Sequence, residues 1–226
     1  KELKSDFLRS AEFILSKNVN QTELRVNNVN HTLIYSLKFS NTGNVAATGT
    51  TISIDGVNEK RVVIDDPLPE GVVLKELHSR KGGGELLYHL KSEAQQVYHR
   101  YNQASLPPLT QIDRIAVAYS TFDVNQEGHI DLEVLVNTQE AIKLNNQFVS
   151  YYKFGDEEKE AYSNIVTTIL KNNAFDLLVN NNVIGRPNDV VILAHTLKNN
   201  GSFTDSYTFS VTQLTNDNSD LSDISI

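Results

Sequence analysis

Strict alternation of apolar and polar residues over Thr32–Ser40 is the pattern that most constrains how this chain folds. Its apolar members are Leu33, Tyr35, Leu37 and Phe39. Successive side chains of a strand point to opposite faces, so residues two apart share one face. The next residues, Asn41-Thr42-Gly43, are turn formers, and Gly43 is able to take a positive φ. The segment therefore predicts a strand with one buried face that ends in a tight turn.

A variant of this strand and turn returns late in the chain, over residues 190–201. The glycines of the two turns, Gly43 and Gly201, are 158 positions apart (201 minus 43). A second strand rich in Thr and Ser is expected after each turn, over 48–54 and 206–212. A supersecondary unit that recurs in this way is typical of tandem modules.

The domain organisation follows from this repeat. We expect a leader or the end of a preceding module over 1–11, one elaborated complete domain over 12–172, and an incomplete second module over 173–226. The second module holds about three predicted strands, whereas a sandwich usually needs about seven. Methionine is absent, even at position 1, so we expect the chain to be part of a longer translation product.

Turn signals between further alternating segments predict the fold class. Asp55-Gly56 indicates a hairpin, and Asp66–Gly71, which contains two prolines, indicates a rigid turn. Arg114–Thr121 and His129–Thr138 are expected to pair as a hairpin, and the acidic Gly155–Glu160 is expected to be a loop or a short helix. Many short strands without repeated helical patterns predict an all-β, immunoglobulin-like Greek-key β-sandwich.

Composition excludes several classes of function. The net charge of -8, with no long run of basic residues, argues against binding to nucleic acid. The chain has no cysteine, so a disulfide framework, a thiolate metal site and a thiol nucleophile are all impossible. No stretch approaches the roughly 18 consecutive apolar residues that a membrane-spanning helix needs.

A set of turn and strand motifs carries a resemblance to a known family. In chain order the motifs are Tyr35, Asn41-Thr42-Gly43-Asn44, Ala47-Thr48, Thr51–Ile54, Asp66-Pro67-Leu68-Pro69-Glu70-Gly71, Gly128–Asn137 and Ser163-Asn164-Ile165. With this order and spacing, residues 12–170 resemble the conserved repeat domain of bacterial surface proteins, the domain of unknown function DUF11. Residues 174–215 resemble it more weakly. The resemblance implies an immunoglobulin-like sandwich in a long, repetitive, exported protein, and it implies no enzymatic activity.

One segment partly imitates a calcium loop. Asp123, Asn125 and Glu127 follow the opening of an EF-hand, Gly128 comes next, and Asp131 offers a fourth oxygen ligand. The twelfth position holds Val134 where an EF-hand has a bidentate acid, and the flanking segments alternate as strands. The alternative is a polar connection between two strands. We expect no cofactor from the sequence, with calcium at this segment as the alternative.

No pattern predicts catalysis. The six histidines lack the i, i+4 spacing of a helical zinc site, although His89 and His99 each follow a tyrosine and are candidates to meet across neighbouring strands. Neither a nucleophile elbow nor a phosphate-binding loop is present. We therefore expect that the protein is not an enzyme.

The function predicted from these patterns is that of a non-catalytic spacer in a repetitive protein of the bacterial cell surface, or in a secreted protein. Its partners are neighbouring repeats of the same chain or the same protein. One alternative is an adhesin that binds a glycan or a protein through loops 78–85 and 100–112, where Tyr98, Arg100 and Tyr101 are expected to be exposed. The other is a filament subunit completed by a strand from a neighbouring chain.

Overall fold

The computed structural model describes residues 9–26, 31–179, 186, 195–202 and 204–208. The chain divides into two compact units, Lys1–Asn172 and Asn173–Ile226. The predicted strand segments at 190–194 and 209–212 lie outside the described residues.

Strands dominate the first unit. They are β1 (Phe13–Val19), β2 (Glu23–Val26), β3 (Thr32–Asn41), β4 (Ala47–Thr48), β5 (Thr50–Ile54), β6 (Val57–Pro67), β7 (Val72–Lys81), β8 (Glu85–Leu90), β9 (Val97–Arg100), β10 (Ile112–Tyr119), β11 (Thr121–Phe122), β12 (Glu127–Val136), β13 (Lys143–Asn146), β14 (Val149–Phe154), β15 (Glu157–Tyr162) and β16 (Val166–Asn172). Two one-turn 3-10 helices, Gln103–Ser105 and Leu109–Gln111, lie between β9 and β10.

These strands form three sheets. The first has the order β1-β3-β12-β7. The second has nine strands, in the order β10-β8-β9-β5-β6-β14-β4-β11 with β15 joined to β14. The third has the order β13-β16-β2, in which β16 runs parallel to β2. The prediction of an all-β, immunoglobulin-like sandwich is confirmed for the first unit.

The main core is built by the alternation seen in the sequence. Leu33, Tyr35, Leu37 and Phe39 are all buried on one face of β3. They belong to one cluster with inward residues of β12, such as Leu132 and Val134, and of β6 and β10 in the nine-stranded sheet. Burial of apolar area between the sheets is the main stabilising term, at about 25 cal/mol per Å².

A second, smaller core lies inside part of the nine-stranded sheet. Strand β6 pairs with both β5 and β10, and β10 connects back to β5 through β8 and β9, so five strands form a closed circuit. Its buried residues are Ile52, Ile54, Val63, Leu87, Tyr98, Ala116 and Ala118. Strand β6 separates the two cores, because its successive side chains point to opposite faces.

Three predictions about local structure are wrong, wholly or in part. Strands β10 and β12 do not form a hairpin, since β10 pairs with β6 and β8 whereas β12 pairs with β3 and β7. The Asp66–Gly71 turn begins later, because β6 continues through Pro67. The acidic segment before Tyr162 is strand β15, which pairs with β14 across a turn at Gly155.

The Asn41-Thr42-Gly43 motif has a structural role that differs from the expected one. The Asn41 side chain is buried and accepts hydrogen bonds from the N–H groups of Glu12 and Gly43, while its amide donates to the carbonyls of Val45 and Phe122. Gly43 does not have a positive φ. It is needed because a Cβ atom there would lie 2.2 Å from the carbonyl oxygen of Ser10.

The second unit contains one described hairpin, β17 (Phe175–Val179) and β18 (His195–Asn199). Its apolar residues Phe175, Leu177 and Leu178 are each at least half exposed. The strand expected over 206–212 is wrong in its described part, since residues 206–208 form no strand. Among the described residues, no helix is long and apolar enough to cross a membrane.

Gly128 provides a test of packing in the main core. It lies opposite Phe39 in the β3–β12 pair, and a Cβ atom there would lie 2.3 Å from the Phe39 ring. Gly128→Ala should therefore lower the free energy of unfolding by about 1–3 kcal/mol, because overpacking displaces the ring. Urea unfolding measures this change.

The control for this prediction is a double-mutant cycle with Phe39→Leu. Gly128→Ala should cost less when it is combined with Phe39→Leu, because the ring atoms that the new methyl group meets are gone, with a coupling of at least about 0.5 kcal/mol. Strictly additive effects of the two substitutions would show that the ring is not the obstacle.

Candidate functional site

Three buried polar side chains break the apolar pattern of three different strands at the main core. They are Lys17 of β1, Asp66 of β6 and Asn146 of β13, and each residue is at most 2% exposed. Each lies on the buried face of its strand, two positions after a buried apolar residue, which is Leu15, Ile64 and Leu144 respectively. We call these three residues the buried triad.

The amine of the triad is held inside the core. Lys17 Nζ donates a hydrogen bond to Asp66 Oδ1, and neither side chain has any exposed surface. The same Nζ lies 4.9 Å from the centroid of the Tyr35 ring and 5.8 Å from that of Phe148. The amine therefore faces one carboxyl group and two aromatic rings, with no access to solvent.

Several buried polar atoms of the triad and of Tyr35 have no hydrogen-bond partner among the described residues. They are Asp66 Oδ2, both polar atoms of the Asn146 carboxamide, and the Tyr35 hydroxyl. Asn146 is close enough to Asp66 to favour its ionised form, although no hydrogen bond of normal geometry joins them. Buried polar groups are almost always paired, so unpaired ones of this number point to a function.

Burial sets the protonation of the amine and the carboxyl. Loss of hydration lowers the pKa of Lys17 and outweighs the attraction of Asp66. The same loss raises the pKa of Asp66 and outweighs the attraction of Lys17. Both shifts favour an uncharged amine beside a protonated carboxyl, because an apolar environment disfavours both ions.

Backbone contacts fix the position of Lys17. Its N–H donates to Asn164 Oδ1 and its carbonyl accepts from Asn164 Nδ2, each at 2.9 Å. Asn164 stands two residues before β16, so this contact connects the first strand of the unit to its last. Because both backbone polar groups of Lys17 are held by Asn164, the point from which the Lys17 side chain extends is fixed.

The chemistry available to the triad follows from these states. An uncharged amine is a nucleophile, a protonated carboxyl is a proton donor, and the carbonyl carbon of a carboxamide accepts a nucleophile. Two of these groups are in contact, and water is excluded from them. The set is suited to acyl transfer between side chains.

A second buried carboxyl, Asp65, lies on the opposite face of β6. Arg114 Nη1 donates to Asp65 Oδ2 at 2.8 Å, and the Asp65 side chain is fully buried. Burial raises the pKa of Asp65 to about 6, with the charge of Arg114 acting in the opposite direction. The pKa of the neighbouring Tyr98 is also raised, mainly by burial.

The structure separates the residues of the proposed calcium loop. Asp123 and Gln126 close a turn, in which Asn125 has a φ of 60°. Asp131 lies four residues beyond Glu127 on β12, about 13 Å along the strand. Its carboxylate is held by Ser36, Ser79 and His129. Calcium binding by Asp123, Asn125 and Glu127 stays a prediction.

The two histidines that follow tyrosines do not meet. Tyr88 stacks on His99, and the ring of His89 lies edge-on to Tyr98, as expected for cross-strand packing. His89 instead contacts Asp113, and His99 contacts Asp55 and Glu93.

A different group on the first sheet could hold a metal ion. Within the described ranges, Glu76, His78 and Glu133 are the one group of three or more such residues with ligand atoms within 4.8 Å. Lys75 Nζ already lies 2.9 Å from Glu133 and, with other hydrogen bonds, lowers the pKa of Glu133 to about 2. An ion pair with Lys75 accounts for this cluster without a metal.

The expected recognition loops differ from their prediction. Tyr98 is buried, so its expected exposure is wrong. Arg100 is partly exposed, but its guanidinium binds Asp55, Glu59 and Glu85.

An open groove of about 710 Å³ lies elsewhere on the first unit. Its lining is largely polar and includes Glu70, Val72, Asn137, Glu140 and Lys143.

The sequence carried a signal for the triad that motif reasoning missed. Lys17, Asp66 and Asn146 each stand two residues after a buried apolar residue, at a position that the alternation reserves for the core. A polar residue at such a position is costly unless it has a partner. Three such residues in separate strands were therefore candidates to meet.

Comparison with known proteins yields likenesses of structure alone. No family model matches the sequence, and no curated protein matches it. Domains D2 and D3 of the major pilin SpaD from Corynebacterium diphtheriae align with a TM-score of 0.41 and 13% identity, over 73% of this chain and 61% of that one. The N-terminal domain of the Streptococcus gordonii adhesin Sgo0707 aligns with a TM-score of 0.38 and 13% identity, over 69% and 32%.

A collagen-binding domain from a Staphylococcus aureus adhesin is similar too. It aligns with a TM-score of 0.32 and 10% identity, over 69% of this chain and 95% of that one. The chain thus spans less than two thirds of the length of the pilin and Sgo0707 structures. Because every TM-score is below 0.5, no function is transferred from these proteins.

Asp65 should make stability depend on pH. Its folded pKa of about 6 exceeds the ordinary 3.8, so the folded state keeps a proton that the unfolded state has lost. The associated stability is complete below about pH 4 and is lost as the pH rises through 6, by roughly 3 kcal/mol at most. Urea unfolding at intervals from pH 4 to 7 measures this loss.

Asp65→Asn is the control, because it removes the titrating group and leaves Lys17 and Asp66 unchanged. The difference in unfolding free energy between the two proteins should shift between pH 4 and pH 6.5 in favour of the variant. Parallel pH profiles would rule out a raised pKa at this position.

Proposed function

We propose that this chain is a non-catalytic structural spacer of a bacterial cell-surface or secreted protein, and that it acts outside the cell. Its role is to hold neighbouring parts of the parent protein apart and to transmit tension between them. Membership of the DUF11 family is part of this proposal and rests on the sequence motifs.

The observation that carries the proposal is the way the first and last strands of the unit are held. All seven residues of β1 pair with β3. Strand β16 pairs with β13 on one side and with β2 on the other. Asn164 then connects the two ends through its paired hydrogen bonds to the backbone of Lys17. A pull applied at the two ends therefore meets strands that are paired along their length.

The composition supports the same function. The chain has no cysteine, so covalent bracing by disulfides is excluded. Its net charge of -8 keeps it soluble and disfavours self-association. A filament completed by strand addition stays a prediction, which light scattering of the purified protein at high concentration would test.

Asn164→Ala tests the connection between the two ends. It should lower the free energy of unfolding by about 1–2 kcal/mol, because two backbone groups of Lys17 lose their partners. It should also lower the force needed to unfold the first unit when the chain is extended from its ends in a single-molecule experiment.

Asn145→Ala is the matched control, since Asn145 makes an exposed hydrogen bond to Thr167 in the same sheet. Its effect should stay within about 0.5 kcal/mol, as for most surface substitutions. Equal effects of the two variants on the unfolding force would remove the support that Asn164 gives to a tension-bearing role.

The open groove supports a second candidate function, the binding of a glycan. Its amide, hydroxyl and carboxylate groups are of the kind that hydrogen-bond to sugar hydroxyls, and its volume of about 710 Å³ suits a small ligand. It has no aromatic platform among its lining residues, which favours the spacer as the first candidate.

A glycan array with the intact chain separates the two candidates. If the groove binds a glycan, Glu140→Ala should weaken binding at least about tenfold, while Asp156→Ala, at an exposed turn outside the groove, should leave it unchanged. Binding that survives Glu140→Ala would place the ligand elsewhere, and no binding at all favours the spacer.

A further inference from the structure

The buried triad has a property that an ordinary buried ion pair does not explain. An ion pair between Lys17 and Asp66 accounts for one hydrogen bond. Within the part of the chain that the structure describes, it leaves Asp66 Oδ2 and both polar atoms of Asn146 buried and without hydrogen-bond partners. Each unpaired buried group costs stability, and an apolar residue at position 146 would avoid that cost. The carboxamide therefore needs another explanation.

We propose that Lys17 Nζ forms an amide bond with the side chain of Asn146, with release of ammonia, and that Asp66 catalyses the reaction. The bond is an intramolecular cross-link between β1 and β13. It forms once per molecule and needs no oxidant, metal or added reactant. The proposal is independent of the spacer function, because it concerns the covalent state of the chain.

The atoms balance in two steps. In the first, the lone pair of Lys17 Nζ attacks Cγ of Asn146 while the Asp66 carboxyl gives its proton to Oδ1. The Asp66 carboxylate then takes a proton from Nζ and passes it to Nδ2. In the second step the bond from Cγ to Nδ2 breaks, ammonia leaves with the electron pair, and the Oδ1 proton returns to Asp66. The carbonyl is restored, and Asp66 ends in its starting state.

The surroundings favour each part of this reaction. Burial lowers the pKa of Lys17 and so favours the uncharged form of the amine, which is the form that a nucleophile requires. The carboxyl contacts the amine directly, so proton transfer needs no water. Asn164 holds the Lys17 backbone in place, which is the kind of positioning that speeds reactions within one molecule. Asp66 is thus a catalytic residue and Asn164 a positioning residue.

The carboxamide is a better acyl group here than Asp66 itself. Condensation of Lys17 with Asp66 would release water and consume the only carboxyl that contacts the amine within the described residues. It would also leave the Asn146 carboxamide unexplained. Reaction at Asn146 keeps Asp66 as the proton carrier and releases ammonia, which diffuses away into solvent.

The cross-link would change the mechanics of the first unit. It joins residue 17 to residue 146, so the intervening segment becomes a closed loop. Closing a loop of this length restricts the unfolded state, as a disulfide does in proteins that contain cysteine. The chain has no cysteine and therefore no disulfide, so this amide bond would be a way to cross-link the fold covalently.

High-resolution mass spectrometry of the intact folded chain tests the proposal. The mass should be about 17 Da below that calculated from the sequence, equal to one ammonia. Tryptic digestion should yield a branched peptide in which residues 10–25, uncut at Lys17, are joined to residues 144–153. Fragmentation of that peptide should place the bond at Asn146.

Variants distinguish the cross-link from other losses of ammonia. Lys17→Met should restore the full calculated mass, whereas a succinimide formed at an asparagine would still lose about 17 Da. Asp66→Asn, of nearly equal volume, should also show the full mass, and Asn145→Ala should keep the loss. Circular dichroism of each variant reports whether it is folded, and the measurement on the wild-type chain does not depend on the variants.

Three results would overturn the proposal or part of it. A folded wild-type chain with the full calculated mass would show that no bond forms. A loss of about 18 Da, with residues 10–25 joined to 62–75, would show that Asp66 and not Asn146 is the acyl group. Retention of the cross-link in Asp66→Asn would overturn the catalytic role of Asp66.

Discussion

The alternation of side chains along β6 is the constraint on which the rest of the structure depends. Two adjacent carboxyls, Asp65 and Asp66, enter two different cores because successive residues of a strand point to opposite faces. Asp65 pairs with Arg114 beside the smaller core, and Asp66 meets Lys17 in the main one. A shift of β6 by one residue would place Val63 where Ile64 packs and would exchange both carboxyls.

The main core therefore combines stabilisation with chemistry. Apolar packing excludes water, and this exclusion shifts the pKa of Lys17 down and that of Asp66 up. In water the two groups would be an ordinary ion pair and the amine would not react. The same core that stabilises the sandwich, which includes Tyr35 and Phe148, favours the uncharged form of the amine by removing it from water. Stability and reactivity have one physical origin here, the loss of hydration.

Sequence reasoning succeeded where the signal is local. The face formed by Leu33, Tyr35, Leu37 and Phe39 was read from a spacing of two residues, and the structure buries all four. It failed where the partner is distant. The hairpin of β10 and β12 was inferred from their closeness in sequence, but each strand found its partners elsewhere, since closeness does not decide which sheet a strand joins. Asn41 was read as a turn residue, and two of its four hydrogen bonds join segments that are distant along the chain, at Glu12 and Phe122.

The sequence by itself determined the strand pattern, the buried faces and the exclusion of thiol chemistry, because these follow from local periodicity and composition. It also placed three polar residues at core positions. Only the tertiary structure decided that Lys17, Asp66 and Asn146 share one site, since they lie 49 and 80 positions apart along the chain (66 minus 17, and 146 minus 66). The reason is physical, because a nucleophile, a proton carrier and an acyl group react only when packing brings them together and removes water. The alternation of residues along single strands specifies neither their proximity nor the exclusion of water.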